Sequence, residues 1–474
     1  MRMKDLKIPL YPSLPGGNHK VVFQTAPFYS KNGQGKGGRR IFCNAFFVIL
    51  FIFFLSVFPP PLCAEVREYH LDNGLKILVA EDHKAPIATF QVWYRVGSMD
   101  DPSGEKGISH LLEHMMFKGT PKYGSKVFSR IIQKNGGQDN AYTTRDYTAY
   151  FETLSSDRLD IPINFEADRM RNLLLDPASL KSEEKVVMEE RRLRNEDDPR
   201  SSLFEEVMAA AFKAHPYQYP VIGWMSDIKS VSHDEISKYY RAYYSPDNAF
   251  IVVTGDVEPG QIYKNIKRAF GDIPVGKGRS EINTVEPVQR GEKRIFLEME
   301  AKLPYVLIAY HTPVFPDDDS YALDVLESIL SGKSGRLYRN VVHNSDAVLD
   351  AFAEYMEMYV DPMLFLLGGT AAPGNDPGRV EKALYGQIDL LKKEAPADRE
   401  VQKAKNQVEA SFIMQQDSLY MQARVIGMFE ILGGWRLKDK YLEGIRNVTP
   451  EDVRRVAKKY FTRENRTVGI LIPK

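Results

Sequence analysis

The sequence predicts an α+β protein of two similar halves, each a mixed, largely antiparallel sheet with helices packed on one face. The first observation is that segments alternating between apolar and polar residues, as strands do, are interspersed with segments of helical periodicity. The second is that the order of strands and helices before residues 273–290 recurs after them, although no short motif does. Because that segment is rich in Gly, Pro, Ser and charged residues, we interpret it as a linker and expect domains at 65–285 and 286–474.

The first half is predicted to open with a strand hairpin, because Asn73-Gly74 is a turn sequence between two alternating segments. A third strand follows, and then a series of amphipathic helices before a last strand and helix. The predicted strands are 66–71, 75–80, 87–95 and 249–255, and the predicted helices are 107–117, 126–134, 156–172, 182–195, 202–214, 233–244 and 259–270.

The second half repeats this order with fewer elements. Two strands lead into a helix and a Gly/Ser turn at 331–335, and further strands and helices follow. The predicted strands are 294–299, 305–311, a stretch through 351–370, and 467–472, and the predicted helices are 320–330, 378–393, 398–416, 419–432 and 449–460.

Composition excludes several classes of protein. The 63 basic residues are balanced by 63 acidic residues, so no basic excess is present to neutralise nucleic acid phosphates. A hydrophobic content of 43 % excludes a wholly disordered chain. The two cysteines, Cys43 and Cys63, both precede residue 65. The body of the protein therefore has neither an intrachain disulfide nor a thiolate metal site, and any metal must be held by histidine and carboxylate.

The amino-terminal segment, residues 1–64, has the architecture of an export signal. Residues 41–58 are apolar except for Asn44 and Ser56, the Arg39-Arg40 pair precedes them, and the small residue Ala64 ends a candidate cleavage site. The apolar run is also close to the length of a membrane span, so an uncleaved inner-membrane anchor is the main alternative, ahead of a buried core helix. We expect an exported, periplasmic protein that contacts a membrane only through this segment.

The sequence His110-Leu111-Leu112-Glu113-His114 carries the strongest chemical signal. Positions i and i+4 of a helix lie about 40° apart, so two imidazoles can reach one cation. Glu113 lies beside them, where a carboxylate can take a proton from water activated by a metal. The alternative, a chance pair of histidines beside a solvated glutamate, is much less favoured for such a composition.

Tetrahedral zinc in a hydrolase takes three protein ligands, so a further donor is needed. On the helix predicted at 182–195, Glu183 and Glu190 share a narrow arc with Val186 and Val187, the face expected to be buried. Buried carboxylates are rarely left unpaired, which makes Glu190 a candidate ligand and Glu183 a candidate supporting group. Periodicity alone leaves an ordinary charged helix face as the alternative.

Four features together resemble the pitrilysin/insulysin family of zinc metallopeptidases, and in particular its short bacterial members similar to mitochondrial processing peptidase. They are the inverted HLLEH motif, the glutamate at 190, the stretch from Gly136-Gly137 to Asn140-Ala141-Tyr142-Thr143, and His215-Pro216-Tyr217 through Gly223. The resemblance extends over residues 66–474 and is most specific in the first half.

The resemblance implies a zinc endopeptidase acting on peptides or unfolded proteins, with the two halves forming one half of a clamshell chamber. It implies one zinc ion per chain and an edge strand to which the substrate adds as a further strand. It assigns His110, His114 and Glu190 as zinc ligands, Glu113 as general base, Glu183 as an accessory catalytic carboxylate, and Asn140, Ala141, Tyr142 and Thr143 as the substrate-binding strand.

One part of the family pattern is missing. Active members carry an arginine, followed seven residues later by a tyrosine, that contact the substrate carbonyl; here the matching positions are Val342 and Leu349. Losing such a donor typically costs roughly 10²- to 10³-fold in rate. We therefore expect a homologous partner subunit to supply the pair. The alternatives are a catalytically weak or inert scaffold subunit of the same family and, less favoured, a different zinc hydrolase.

Overall fold

A computed structural model describes residues 65–276 and 282–474 of the chain. The signal or anchor interpretation of residues 1–64 falls outside these ranges, as does a part of the predicted linker. No helix within the described ranges combines the length and the apolar character that a membrane span requires.

Six strands form the sheet of the first half, in the order β1-β2-β6-β3-β5-β4. All neighbouring strands are antiparallel except β2 and β6, which are parallel. This leaves β1 and β4 at the two edges. The strands are β1 (Val66–His70), β2 (Lys76–Glu81), β3 (Ile87–Tyr94), β4 (Gln138–Thr143), β5 (Thr148–Ser155) and β6 (Ala249–Gly255).

Eight α-helices belong to the described part of the first half, and their apolar faces and one face of the sheet enclose a buried core. The last of them carries a glutamate cap and a proline in its first turn, which is a common helix start. The helices are α1 (Ile108–Met116), α2 (Val127–Lys134), α3 (Asp160–Asn172), α4 (Pro177–Arg191), α5 (Pro199–Ala211), α6 (Met225–Ser230), α7 (His233–Tyr243) and α8 (Pro259–Phe270).

The sheet of the second half has five strands, in the order β7-β11-β8-β10-β9, with β7 and β11 parallel and the other neighbours antiparallel. The strands are β7 (Lys293–Met299), β8 (Tyr305–Thr312), β9 (Val348–Tyr355), β10 (Met363–Ala371) and β11 (Arg466–Pro473). The helices are α9 (Asp318–Leu330), α10 (Pro377–Lys393), α11 (Asp398–Met414), α12 (Leu419–Ile431), α13 (Leu437–Asn447) and α14 (Pro450–Tyr460).

Five strands of the first sheet correspond to the five strands of the second, and β1 is additional. The order β2-β6-β3-β5-β4 of the first half matches β7-β11-β8-β10-β9 of the second, with the parallel pair at the same place. Helix α1 follows β3 in the chain, and helix α9 follows the corresponding strand β8. The predicted fold of two similar α+β halves is confirmed.

One helix of each half packs on the sheet of the other half, on the face that the sheet's own helices leave uncovered. This packing was not predicted from the sequence. Helix α12 of the second half packs on β6 and β3, and helix α5 of the first half packs on β11, β7 and β8. Both contacts require a glycine, because a larger residue would clash. A Cβ at Gly427 would lie 2.3 Å from Trp93, and one at Gly469 would lie 2.5 Å from Val207. The close approach of backbone to side chain joins the halves into one body.

Three elements were absent from the sequence prediction. They are strand β5 and helices α6 and α13. Strand β4 was predicted only from the family resemblance. Helix α13 contains Gly444, which weakens the helical signal, and this glycine is needed because a Cβ there would lie 2.3 Å from the ring of Tyr321. A local preference was thus overridden by packing.

Candidate metal centre

Helix α1 presents the HLLEH residues, and its start is fixed by a buried carboxylate. Asp101 accepts hydrogen bonds from the backbone N–H of Gly107 at 2.8 Å and of Ser109 at 3.2 Å. Gly107 has φ 98°, and a Cβ there would lie 2.3 Å from the carbonyl oxygen of Ile222, so glycine is required on both grounds. The rotation of the helix about its axis is therefore set by its surroundings.

Helix α4 brings two carboxylates to α1. Its first turn is capped by Asp176, which accepts from Ser179 N at 2.8 Å, and its body packs against α1. Glu183 and Glu190, two turns apart, both face the histidines. The predicted buried arc was only partly correct, because Val186 is 47 % exposed whereas Glu184 is buried.

The imidazole of His114 lies between these two carboxylates. Its Nδ1 is 3.1 Å from Oε2 of Glu183, and its Nε2 is 3.5 Å from Oε2 of Glu190. A carboxylate on one ring nitrogen fixes the orientation of the ring and leaves the other nitrogen for a metal, which is the usual arrangement at zinc-binding histidines.

His110, His114 and Glu190 form the candidate ligand set. Each offers one donor atom, and the three atoms lie within 4.8 Å of one another. The Nδ1 atom of His110 is buried and has no hydrogen-bond partner among the described residues. Two imidazoles and one carboxylate are the ligands that catalytic zinc takes in many hydrolases, so the residues present fit a zinc ion. Within the described ranges, no other group of three such donors is found.

Two cationic side chains hold the outer oxygens of the carboxylates. Lys118 forms an ion pair with Oε1 of Glu183, and Arg194 lies 2.5 Å from Oε1 of Glu190. Each carboxylate therefore keeps its other oxygen directed at His114. Neither residue was predicted from the sequence, although Lys118 follows His114 by four positions and Arg194 follows Glu190 by four, a spacing that places side chains on one helix face.

The electrostatics of the cluster favour bound positive charge. Burial lowers the pKa of His110 to about 3, so this imidazole is neutral, as a metal ligand must be. Burial also acts to lower the pKa of His114, but hydrogen bonds to Glu183 and Glu190 raise it to about 9. Against the effect of burial, the His114 hydrogen bond and the charges of His114 and Arg194 lower the pKa of Glu190 to about 2. The Glu190 carboxylate thus stays ionised, and the His114 imidazole attracts a proton. A site with these two properties stabilises a cation.

Glu113 faces the edge strand β4. Its side chain is only 7 % exposed, and its Oε2 accepts a hydrogen bond of 2.6 Å from the hydroxyl of Thr143. Burial raises the pKa of Glu113 above the ordinary glutamate value, in the direction that makes a carboxylate a stronger base. A general base adjacent to both histidines and held in one orientation is what a water-activating site requires.

The predicted substrate strand lies at the edge of the sheet, where a further strand can pair. Its residues alternate between the two faces. Ala141 belongs to the buried core and Thr143 contacts Glu113, whereas the side chains of Asn140 and Tyr142 lie on the opposite face. The amide oxygen of Asn140 accepts from the backbone N–H of Ala141 at 2.9 Å.

The two positions at which the family pattern has its arginine and tyrosine are apolar in the structure as in the sequence. Val342 ends a π-helical turn, Leu337–Val342, and packs against the core of the second half. Leu349 lies on β9 and is 49 % exposed. Neither side chain can donate a hydrogen bond to a carbonyl.

Comparison with protein families gives two matches. Residues 76–224 match the insulinase family, peptidase family M16, and residues 230–408 match the inactive domain of M16 peptidases. The first match contains all the site residues on α1, β4 and α4.

Known relatives extend over most of the chain. It is 30 % identical over 410 residues to the zinc protease PqqE of Helicobacter pylori, which corresponds to 85 % of this chain and 92 % of that protein. It is 24 % identical over 406 residues to the mitochondrial-processing peptidase subunit beta of Lentinula edodes, which corresponds to 82 % and 86 % of the two chains.

The fold has close counterparts among solved structures. The crystal structure of a protease from Helicobacter pylori superimposes with a TM-score of 0.83 and 29 % identity, and the match includes 86 % of this chain and 100 % of that one. The periplasmic protease PqqL of Escherichia coli matches with a TM-score of 0.72 at 15 % identity, over 87 % of this chain and 48 % of that one, a likeness of fold alone.

Proposed function

The chain belongs to peptidase family M16, and from this premise we propose that it is a zinc-dependent endopeptidase that hydrolyses internal bonds of peptides or unfolded polypeptides. The observation that carries the proposal is the donor cluster of His110, His114 and Glu190 with the buried carboxylate of Glu113 beside it. Its relatives named as zinc proteases support both the metal and the reaction class.

Held by His110, His114 and Glu190, a zinc ion would polarise a carbonyl and lower the pKa of a water molecule to about 7. The Glu113 carboxylate is placed to accept a proton from water beside these residues and to pass it to the nitrogen of the departing amine. Its raised pKa suits both steps, because a carboxylate that binds a proton more readily also carries it through the reaction. Thr143 holds the carboxylate in place through its hydroxyl.

Edge strand β4 supports an extended peptide as substrate. A peptide added beside β4 forms main-chain hydrogen bonds that do not depend on its side chains, which suits an enzyme acting on varied sequences. Since Thr143 on this strand contacts Glu113, the added backbone passes next to the base and the ligand cluster. Extended peptides and unfolded proteins present such a backbone, and folded proteins do not.

We further propose that a homologous subunit completes the site. Val342 and Leu349 offer no donor for the substrate carbonyl, and one missing donor costs roughly 10²- to 10³-fold in rate. One relative is by name the β subunit of a peptidase, which supports a role within an assembly. The partner would supply an arginine and a tyrosine across a shared chamber.

The proposed place of action is the periplasm. The apolar run at 41–58 after Arg39-Arg40 supports export, with the body either released by cleavage or kept at the inner membrane. Fractionation of cells that produce the full chain tests this. Recovery of the chain in the cytoplasmic fraction would contradict it.

A second candidate function is that of a catalytically weak binding subunit. It is favoured by the apolar residues Val342 and Leu349 and by the match of residues 230–408 to an M16 inactive domain. Purified chain, alone and mixed with the product of a homologous gene, is assayed on unstructured peptides with and without a chelator. The endopeptidase proposal predicts chelator-sensitive cleavage that increases with the partner. Zinc binding without cleavage in either sample would favour the binding subunit.

A further inference from the structure

An arginine without an acidic partner lies beside the candidate substrate strand. Arg424, on α12, is only partly exposed, its guanidinium lies over the ring of Tyr142, and Tyr147 and Tyr420 also interact with it electrostatically. It forms no ion pair with any carboxylate of residues 65–276 and 282–474. Arg95 and Arg336, which are also partly exposed, instead pair with Glu430 at 2.8 Å and Glu400 at 2.6 Å.

The rings around Arg424 form a defined environment, here named the Arg424 pocket: Arg424, Tyr142, Tyr147, Phe151 and Tyr420. The guanidinium carbon lies 5.4 Å from the centre of the Tyr142 ring. Tyr142 packs against Tyr147 at 5.9 Å and Phe151 at 6.3 Å, and Phe151 packs against Tyr420 at 4.5 Å. The hydroxyl oxygen of Tyr142 is buried and has no hydrogen-bond partner among the described residues.

The position of α12 fixes this pocket on the sheet. The side chain of Gln91 donates to the carbonyl oxygen of Tyr420 at 3.1 Å, and Gly427 lies against the ring of Trp93. Tyr420, Arg424 and Gly427 follow one another at helical spacing and so lie on one face of α12. Contacts at Tyr420 and Gly427, which precede and follow Arg424 on α12, therefore fix the position of Arg424 near the edge of the sheet.

The pocket lies on the face of β4 opposite the candidate metal centre. Thr143 points to Glu113, so its neighbour Tyr142 points the other way, towards α12. Side chains of directly paired strand residues lie on the same face, roughly 5 Å apart, and diagonal neighbours lie roughly 7 to 8 Å apart. In a peptide added to β4, the residue opposite Tyr142 and its neighbours two positions away thus lie on the face of the Arg424 pocket.

A carboxylate is the group that this pocket lacks. Aromatic faces stabilise a guanidinium only weakly, whereas withdrawing a charge from water without an opposite charge costs more. The planar guanidinium matches a carboxylate with two parallel hydrogen bonds, and the unpartnered hydroxyl of Tyr142 adds a donor. Asp146, which precedes Tyr147 in the sequence, already accepts from the Tyr217 hydroxyl and from Val360 N at 3.2 Å.

We propose that the Arg424 pocket binds a carboxylate of the peptide added to β4, so that the protein selects substrates with an acidic group on that face. This rests on the proposed function, because it needs a peptide at β4. The carboxylate can come from an Asp or Glu side chain or from a free C-terminus. In either case the acidic group also sets which peptide bond lies beside Glu113.

Peptide binding to the full chain carrying Glu113→Gln tests the proposal without cleavage. The probes are fluorescein-labelled, unstructured peptides with amidated C-termini that differ at one central residue, Glu, Gln or Lys; a fourth has Gln and a free C-terminus. Fluorescence anisotropy is expected to give at least about tenfold tighter binding of the Glu peptide than of the Gln peptide, the range of a charge-assisted hydrogen bond. Tighter binding of the fourth peptide, with no such effect of Glu, identifies the C-terminal carboxylate as the ligand.

Variants of Arg424 separate recognition from stability. Arg424→Gln is expected to remove the preference, Arg424→Lys to retain part of it, and Arg424→Glu to favour the Lys peptide. The control Arg463→Gln changes an exposed arginine and keeps the preference, and thermal unfolding checks that each variant is folded. Equal binding of all four peptides, or a preference that survives Arg424→Gln, would overturn this inference alone. Failure to bind any peptide would overturn the proposed function as well.

Discussion

The helices α1 and α9 occupy the same place in their two halves and carry different chemistry. Each precedes the strand at the edge of its sheet, β4 or β9, and each presents a glutamate to the last residue of that strand. The buried Glu113 accepts from the Thr143 hydroxyl at 2.6 Å, and the half-buried Glu327 accepts from Tyr355 N at 3.1 Å. Both halves therefore place a carboxylate beside the end of the edge strand. What distinguishes the first half is the set of groups around it.

In the first half the carboxylates near α1 are ionised and have partners. Histidines of α1 and the cations Lys118 and Arg194 surround Glu183 and Glu190, whose pKa values are lowered. In the second half, burial raises the pKa of Asp324 to about 6 and that of Glu357 to about 8, and the charge of Asp324 adds to the rise at Glu357. Burial and the charges of these two groups also raise the pKa of Glu327. One fold thus holds a candidate cation-binding set in one copy and carboxyl groups with raised pKa values in the other, and the difference lies in a few residues.

The largest expected effect comes from removing a ligand of the first half. His114→Ala is expected to abolish zinc binding, because His114 links both carboxylates of α4 to the cluster. Zinc content by mass spectrometry after dialysis is predicted to fall from one ion per chain to none. His343→Ala, in the second half, is the control and should retain zinc. Retention of zinc by His114→Ala would place the metal elsewhere.

A smaller effect is expected from the cation behind Glu190. Arg194→Gln frees one oxygen of the Glu190 carboxylate, and loss of such a supporting contact typically weakens metal binding roughly 10- to 100-fold. Competition with a fluorescent chelator measures the dissociation constant for zinc. Arg192→Gln, which changes an arginine paired with the exposed Glu189, should leave it unchanged. Equal affinities of the two variants would show that Arg194 has no such role.

The carboxyl groups of the second half are expected to affect stability and not zinc binding. The folded pKa of Glu357, about 8, exceeds its ordinary value of 4.5, so the folded state binds a proton that the unfolded chain releases between these pH values. Stability is therefore fully present below the ordinary pKa and falls as the pH rises to about 8, by an amount on the order of a few kcal/mol.

Glu357→Gln is expected to flatten this pH dependence, because its amide cannot ionise. Thermal unfolding from about pH 5 to about pH 8 measures the slope. The control is Glu464→Gln at an exposed position, which should keep the slope of the unchanged protein. A slope that is the same in all three proteins would mean that Glu357 is not the group responsible.

The residues of the site that lie close together in the sequence could be predicted, whereas those brought together by tertiary packing could not. His110, Glu113 and His114 lie within about one turn of helix, so their spacing defines a shared face before any fold is known. Glu190 was harder to place, since the predicted arc included the exposed Val186. A role for Arg424 could not be predicted from the sequence, because its position over Tyr142 depends on a helix of the second half that packs on the sheet of the first. Packing across the two halves is a property of the whole chain that no short segment encodes.

In the proposed function, the first half holds a zinc ion and Glu113 is the base for peptide hydrolysis. The decisive measurement is of zinc content and peptide hydrolysis for the unchanged chain and for Glu113→Gln, each with and without a homologous partner chain. We expect one zinc ion per chain in both proteins and hydrolysis reduced about 10²- to 10⁴-fold by the substitution. Undiminished hydrolysis by Glu113→Gln, or hydrolysis by the unchanged chain stripped of zinc, would contradict it.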